Sequence, residues 1–478
     1  MKGKKLLALT LTSLMAVSLF AGCGGSNSKE SSSSEKDKKS GGKKDVVTAL
    51  LPPVSATYQE KITSYVDDFN KENPDIEIEV TTASWEDMTQ KLDVQVNAGS
   101  PPDVAFMDST GISKYVDTGM AVDISKYLDE KEMSDFDESV INYFKSGDGL
   151  YGLPAYCEVH CIGGNQELLE KAGIDWREVQ KSGWTYDEFR EDIKKGVIKE
   201  GDQVKSYGFL FACAGITAKD YFGIFVKNAG MPAAFDKDLK YAYTSKKMLS
   251  FLKDLRSLID DGSMPKELGS IDAGKRWNMM LTGQTMITGK GMANFERSAK
   301  ENTQKLENKD KDAVEGSIPL EYIILPVPVF DGGEQQAQAA VGGYMCFSGK
   351  KKSDENHLKN VAKAAYYLAS GERAANTCQE LYLKPVCETG RTANDKLPPI
   401  EGRNEDNEKA ADILTSEIAE ARPDIPADKG AKAIKIEDEV ISPKFQGLLS
   451  GEVTPEEMYQ AILDAGHDAF GEEDCISD

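Results

Sequence analysis

A chain of 478 residues is too long for one compact core, so two or more domains are expected. Its 40% apolar and 29% charged residues fit soluble globular material and exclude a multi-spanning membrane protein. The net charge is −23, and because the first 45 residues carry nine lysines against four acids, the remainder sits near −28. A body that acidic repels phosphate backbones, which excludes nucleic-acid binding as its main task.

The chain opens with Lys2, Lys4 and Lys5 followed by the apolar run Leu6–Phe20, long enough for the hydrophobic part of a leader and short for a spanning helix. Phe20-Ala21-Gly22-Cys23 resembles a bacterial lipobox, with Phe20 where Leu is usual. The resemblance implies cleavage before Cys23 and lipid on its thiol; the alternative is an ordinary cleaved leader with an incidental Cys. Ser26–Lys44 is a run of Ser, Lys, Gly and acidic residues with nothing to bury, expected to stay disordered. A coil of about 20 residues spans roughly 25 Å, so it would serve as a tether.

Val46–Leu51 reads as a buried strand, Tyr58–Asn70 as an amphipathic helix, and Ile76–Val80 as a second strand, an order that signals a mostly parallel sheet. Glu86–Asn97 follows as a helix, with Trp85 at its start either packing there or offering a ring platform. The strand Val104–Phe106 ends at Asp108, Ser109 and Thr110, where open α/β sheets place ligands. Asp108 reads equally as the cap of a helix at Gly111–Thr118. The stretch Gly149–Asp175 (GLYGLPAYCEVHCIGGNQELLEKAGID) is read as a turn, a short strand, a second strand and a helix opened near Asn165, and as the crossing between two lobes. Tyr156 and Glu158 share one face of it and are natural occupants of an inter-lobe cleft.

Further on, Thr185 and Glu188 spell a capping box, which favours Trp184 as packing at a helix entry over a sugar platform. Lys247–Asp260 is a clean amphipathic helix. Met279–Phe295 (MMLTGQTMITGKGMANF) holds a strand at Thr285–Thr288 and a glycine turn with Lys290 and Met292, both assigned to a second wall. Lys290 would either hydrogen-bond hydroxyls, meet a ligand carboxylate, or face solvent. Asn302–Ser317 has no apolar stripe and reads as a surface loop. Its spaced Asn308, Asp310 and Asp312 are no calcium loop, since Ala313 and Pro319 stand where Gly and Glu are needed. Gly342 and Gly343 admit a close approach of backbone, with Tyr344 beside them lining the cleft.

Of the eight Cys, Cys23 aside, seven remain, an odd number that cannot all pair within the chain; they are read as mostly unpaired buried thiols. Only three His are present and no HExxH, GxSxG, P-loop or GxGxxG motif occurs, so the reading is a binder without catalysis, metal or cofactor.

Taken in order, the Y-G-L-P crossing, Ser100-Pro101-Pro102-Asp103-Val104, Gly119–Leu128, Trp184-Thr185-Tyr186-Asp187-Glu188-Phe189, Tyr322–Phe330, Ala340–Ser348, Leu383–Val386 and Gly451–Glu457 resemble the extracellular solute-binding proteins of family 1, the sugar-binding subunits of ABC importers. The resemblance implies a periplasmic-binding-protein-like α/β fold with two lobes joined by about three crossings, near Tyr156–Glu158, Ser317–Tyr322 and Leu383–Pro385. Lobe 1 would comprise 46–157 plus 320–384, and lobe 2 158–319 plus 385–472, behind a leader (1–22) and tether (23–45). It implies capture of a small solute, a carbohydrate, by hinge closure and delivery to the transmembrane subunits of an ABC permease. The protein would act as a monomer, anchored by lipid on Cys23 at the extracellular face of a Gram-positive-type membrane. Asp108 and Glu158 would accept hydrogen bonds, with Ser109 beside Asp108 in the ligand-binding set, while Trp85, Tyr156 and Tyr344 offer ring platforms. The alternatives are a same-fold binder of a peptide, polyamine or metal chelate, and a tethered surface glycosidase or adhesin.

Overall fold

Residues 44–214, 217–349 and 354–477 are described by a computed structural model; the expected leader, Cys23 and nearly all of the tether lie outside them. The strands among these residues are β1 (Asp45–Leu51), β2 (Ile76–Thr82), β3 (Val104–Asp108), β4 (Lys145–Ser146), β5 (Gly149–Leu150), β6 (Gly152–Asn165), β7 (Ile198–Glu200), β8 (Gln203–Phe211), β9 (Thr285–Gly291), β10 (Tyr322–Leu325) and β11 (Gln338–Cys346). Apart from a β4–β5 hairpin they join in one sheet, ordered β2-β1-β3-β11-β6-β9-β8-β7, with β10 paired to β6. β1, β2 and β3 run parallel, connected by the helices Tyr58–Glu72 and Trp85–Ala98. The second of these is opened by the Ser84 side chain accepting from Asp87 N–H and closed by Gly99 at φ 74°, a left-handed cap that glycine adopts without a side-chain clash. No described helix is long and apolar enough to cross a membrane.

The stretch read as two strands is a single one of 14 residues, β6. Its first part, Gly152–His160, pairs with β11, and its last part, Cys161–Asn165, pairs with β9 and β10. The change of partners follows from packing. Leu153, Ala155 and Tyr156 belong to a core built on β1, β3 and β11. Ile162 belongs to a second core, rich in rings, with Phe209, Phe211, Tyr221 and Phe225. Phe211 and Tyr221 stack there with centroids 4.7 Å apart.

The return to the first core lies later in the chain than expected. Ile323, Leu325, Val327 and Phe330 pack in the second core, so the chain returns to the first at β11 rather than at Ser317–Tyr322. An apolar run says that a strand is buried, not in which core. Likewise the helix Glu388–Asn394 stays with the first core, through Cys387 packed within it and an Arg391–Asp137 pair at 3.0 Å. Tyr382, just before the expected crossing at Leu383–Pro385, packs in a third core with Cys161, Met280 and Tyr322, and Ala410 and Leu414 rejoin it after Asn394. The loop expected at Asn302–Ser317 begins as helix, since Asn294–Glu307 is helical and turns Glu296, Ala299 and Asn302 inward. All seven cysteines among the described residues are free, six of them buried.

One polar cluster ties the first core's elements together. His357 lies between Asp45 (Nδ1 to Oδ1, 2.9 Å) and Asp103 (Nε2 to Oδ1, 3.1 Å), and Asp103 Oδ2 accepts from Thr48 N–H and Oγ1–H at 2.8 Å each. The bonds to Asp103 and then Asp45 lift the His357 pKa to about 9. A raised histidine stabilises the fold fully below its unfolded value near 6.5, and that contribution is lost as pH rises through about 9. We expect His357→Ala to cost about 2 kcal/mol at pH 6, after allowing for solvent screening, and almost nothing at pH 10. Denaturant melts at the two pH values check this; an equal loss at both would mean that the charge is not what stabilises.

Candidate functional site

The partner switch in β6 gathers charged and aromatic side chains from both cores. On the first core's side, Asp108 ends β3, opposite Gly342 of β11, which in turn pairs with Tyr156 of β6. Asp108 Oδ1 accepts from Thr110 N–H at 2.9 Å, so it caps the turn after its strand. Burial raises its pKa, a rise opposed by the Thr110 N–H and Lys290 and assisted by Asp220. Ser109 is 6% exposed and its Oγ has no hydrogen-bond partner among the described residues.

A row of rings runs beside these groups. Trp85 meets Phe106 edge-on at 5.8 Å, and Phe106 lies 6.0 Å from Tyr156. Trp85 donates from Nε1 to Pro53 O at 3.0 Å, which fixes the indole while leaving the residue 43% exposed. Tyr156 is buried against Gly342, where an added Cβ would sit 2.6 Å from Tyr156 Cζ and 2.8 Å from Phe106 Cζ. Tyr344, expected as a third platform, is instead interior. It is 2% exposed, shares a 2.8 Å hydrogen bond with Tyr58 Oη, and presents its ring to Phe106. β11 is covered on both faces, so its next side chain after the glycines falls into the core.

The second wall comes from β9 and the helix Thr217–Val226. Lys290 Nζ lies 3.4 Å from Asp220 Oδ2, a partner the sequence reading did not single out. Arg276 is buried; it donates from Nη1 to Lys290 O at 2.6 Å and lies 4.8 Å over the Phe295 ring. Met292, in the turn after β9, is half-buried.

Glu158 lies between the walls. It is 6% exposed and its Oε1 has no partner among the described residues. Burial pushes its pKa up to about 7, with Lys290 and the Ala293 N–H working the other way. His160, two residues along on the same face, is held neutral by burial and by Lys290, and its Nδ1 is also without a partner. Gln338 pairs with His160 across β11, and its Oε1 is likewise unpaired. A buried polar atom without a partner costs roughly 1–3 kcal/mol, and that cost is recovered when a hydroxyl or amide fills the gap. The structure therefore joins Asp108, Glu158 and Lys290 electrostatically and sets Trp85 and Tyr156 beside them. His160, Gln338, Arg276 and Asp220 are additions to the expected set. Among the described residues no group of His, Cys, Asp and Glu is arranged to hold a metal ion.

Comparison with known proteins bears on the family and the fold. A family model described as "Bacterial extracellular solute-binding protein" matches residues 53–370. A Brucella abortus chain described only as a binding protein is 24% identical over 245 residues, 50% of this chain and 57% of its own length. The chain thus spans little more than half the length of the curated relatives it matches. Among solved structures, an ABC substrate-binding protein of Listeria monocytogenes in complex with cycloalternan superposes with a TM-score of 0.66 at 20% identity, covering 90% of this chain and 99% of that one. An ABC transporter solute-binding protein of Thermotoga lettingae bound with α-D-tagatose gives 0.67 at 19% identity, covering 89% and 99%.

Proposed function

Because the chain belongs to the bacterial extracellular solute-binding proteins, we propose that it captures a carbohydrate for an ABC importer and hands it to the permease. The observation that carries the reading is Glu158, a buried carboxylate with a free acceptor atom, in a strand shared by two cores and flanked by Lys290, Asp108 and the Trp85–Phe106–Tyr156 row. Sugars need this combination: acceptors and donors for hydroxyls, and flat apolar surfaces for the ring faces. The fold is that of the solute-binding components of ABC transporters, and two bodies hinged about β6, β11 and the segment after Asn394 would close over the solute. No catalytic step is assigned. Lipid on Cys23 and the following tether would hold a monomer at the outer face of the membrane, within reach of the permease.

Lys290 is already paired with Asp220 at 3.4 Å, and the unpaired acceptor atom of Glu158 suits the hydroxyl of a neutral sugar. A thermal-shift panel of neutral sugars, peptides, polyamines and metal chelates tests the class. A ligand at 100 times its Kd adds about 2.7 kcal/mol, which lifts the melting temperature by several degrees. We expect a neutral sugar to give that shift. A shift from peptides, polyamines or chelates with none from any sugar would replace the carbohydrate reading.

A further inference from the structure

We infer that the solute reaches across the site to the helix Thr217–Val226, where Gly223 leaves room for it and Gln338 receives one of its hydroxyls. This rests on the carbohydrate reading above and deepens it, since Gly223 becomes a residue that decides which solutes fit. Glycine inside a helix weakens it relative to alanine, so an interior glycine calls for a reason. Gly430, Gly447 and Gly466, inside other helices, have one. A Cβ added to them would meet Ser113, Val453 and Thr244 at 2.6, 2.6 and 2.8 Å, so each lets a neighbour pack close. Gly223 has no such neighbour. Its φ is not positive, and a Cβ added to it would find one described atom within 4 Å, its chain neighbours and the backbone of its own helix aside. That atom is Gln338 Oε1, at 3.5 Å. There is room for a methyl group here that no described side chain uses.

The room lies on the site's side of the helix. Tyr221, Phe222, Ile224 and Phe225 are buried in the second core, which leaves Asp220 and Gly223, one turn apart, on the face turned away from it. Asp220 pairs with Lys290 from that face, at 3.4 Å. Gln338 arrives from the sheet. β11 sets Gly342, Ala340 and Gln338 directly against Tyr156, Glu158 and His160 of β6, and residues so opposed share a face. Along it β11 offers no side chain, then a methyl group, then a long amide, and the amide is the one that spans to the helix.

Two polar atoms at this end of the face are buried without a partner among the described residues, Gln338 Oε1 and His160 Nδ1. A carboxamide oxygen only accepts, so what completes it is a donor, and a sugar hydroxyl lying over Gly223 is one. Glu158 and Gln338 then hold two separate hydroxyls of one solute, two residues apart along the sheet.

Calorimetry on the full chain with D-glucose, D-galactose, D-mannose, D-xylose, maltose and cellobiose, repeated on three variants, tests this beside denaturant midpoints of the ligand-free proteins. Gly223→Ala should raise the midpoint, because the helix gains and nothing clashes, yet weaken the sugar that binds at least threefold. Gly223→Leu, with its circular dichroism spectrum unchanged, should weaken it at least tenfold. Gln338→Leu, similar in size without the acceptor, should lose at least tenfold with no fall in midpoint. Among deoxyfluoro analogues of that sugar, which keep an acceptor and lose a donor, one position should lose at least tenfold on the wild type and nothing further on Gln338→Leu. A Gly223→Ala protein that binds as the wild type does, or one with a lower midpoint, overturns the role of Gly223. Wild-type affinity in Gln338→Leu overturns the hydroxyl contact. A sugar bound equally by all four proteins defeats this proposal and leaves the carbohydrate reading standing, whereas a wild type that binds none of the sugars overturns both.

Discussion

Glu158→Gln is expected to weaken solute binding ten- to a hundredfold and, at pH 8, to make the ligand-free protein more stable. The two effects share one cause. The carboxyl is buried, with a pKa of about 7 against an ordinary 4.5. A raised folded-state pKa contributes stability that is fully present below the unfolded value, near 4.5, and is lost as pH rises through about 7. At pH 8 the wild type therefore holds a desolvated charge costing on the order of 3 kcal/mol, taking 1.36 kcal/mol per unit, and a neutral amide of the same shape does not. Bound to solute, the same charge accepts a hydroxyl hydrogen bond worth about 1.5–3 kcal/mol, which the amide cannot match. Melting curves at pH 5 and pH 8 with calorimetry at pH 8 separate the outcomes. Wild-type affinity in the variant would take Glu158 out of the site, and a lower melting point at pH 8 would make it a structural residue.

Gly342→Ala is expected to lose about 1–3 kcal/mol of stability and at least tenfold in affinity. The new methyl carbon would lie 2.6 Å from Tyr156 Cζ and 2.8 Å from Phe106 Cζ, well inside contact distance, and both rings are buried and so have little room to retreat. Phe106 stays anchored between Trp85 and Tyr344, so Tyr156 is the ring that moves, and it leaves the row beside Glu158. Gly269→Ala is the control, because nothing lies within 4 Å of its added Cβ. Denaturant midpoints and ligand titrations of the pair decide it. A Gly342→Ala protein that behaves like the Gly269→Ala protein would show that the rings adapt.

Much of the parallel half-sheet was legible from the sequence, because strand, helix and strand follow each other with short joins and the helices carry clean apolar stripes. Tyr156 and Glu158 were singled out for a narrower reason, alternation by two along a strand crossing between cores, and both sit in that strand, β6. Tyr344 was placed at the cleft because it follows two glycines, but adjacency to a glycine turn cannot tell a cleft from a core when the strand is covered on both sides. The helix Asn294–Glu307 was hidden because its inward face is Glu296, Ala299 and Asn302 rather than an apolar stripe; Glu296 is satisfied there by Lys300 at 2.7 Å and Asn407 at 3.0 Å. Asp220 meets Lys290 across 70 residues of chain and Gln338 meets His160 across a sheet, and no local pattern encodes either meeting.

The position of β11 bears on how this protein is made. It sits between β3 and β6, yet is synthesised almost two hundred residues after β6 begins, so the first sheet stays split until the ribosome has passed Cys346. Loop closure over such separations is slow, and the half-built sheet would expose two bare edges meanwhile. Truncations ending anywhere before β11 should therefore yield no folded amino-terminal fragment, however complete its first three strands look.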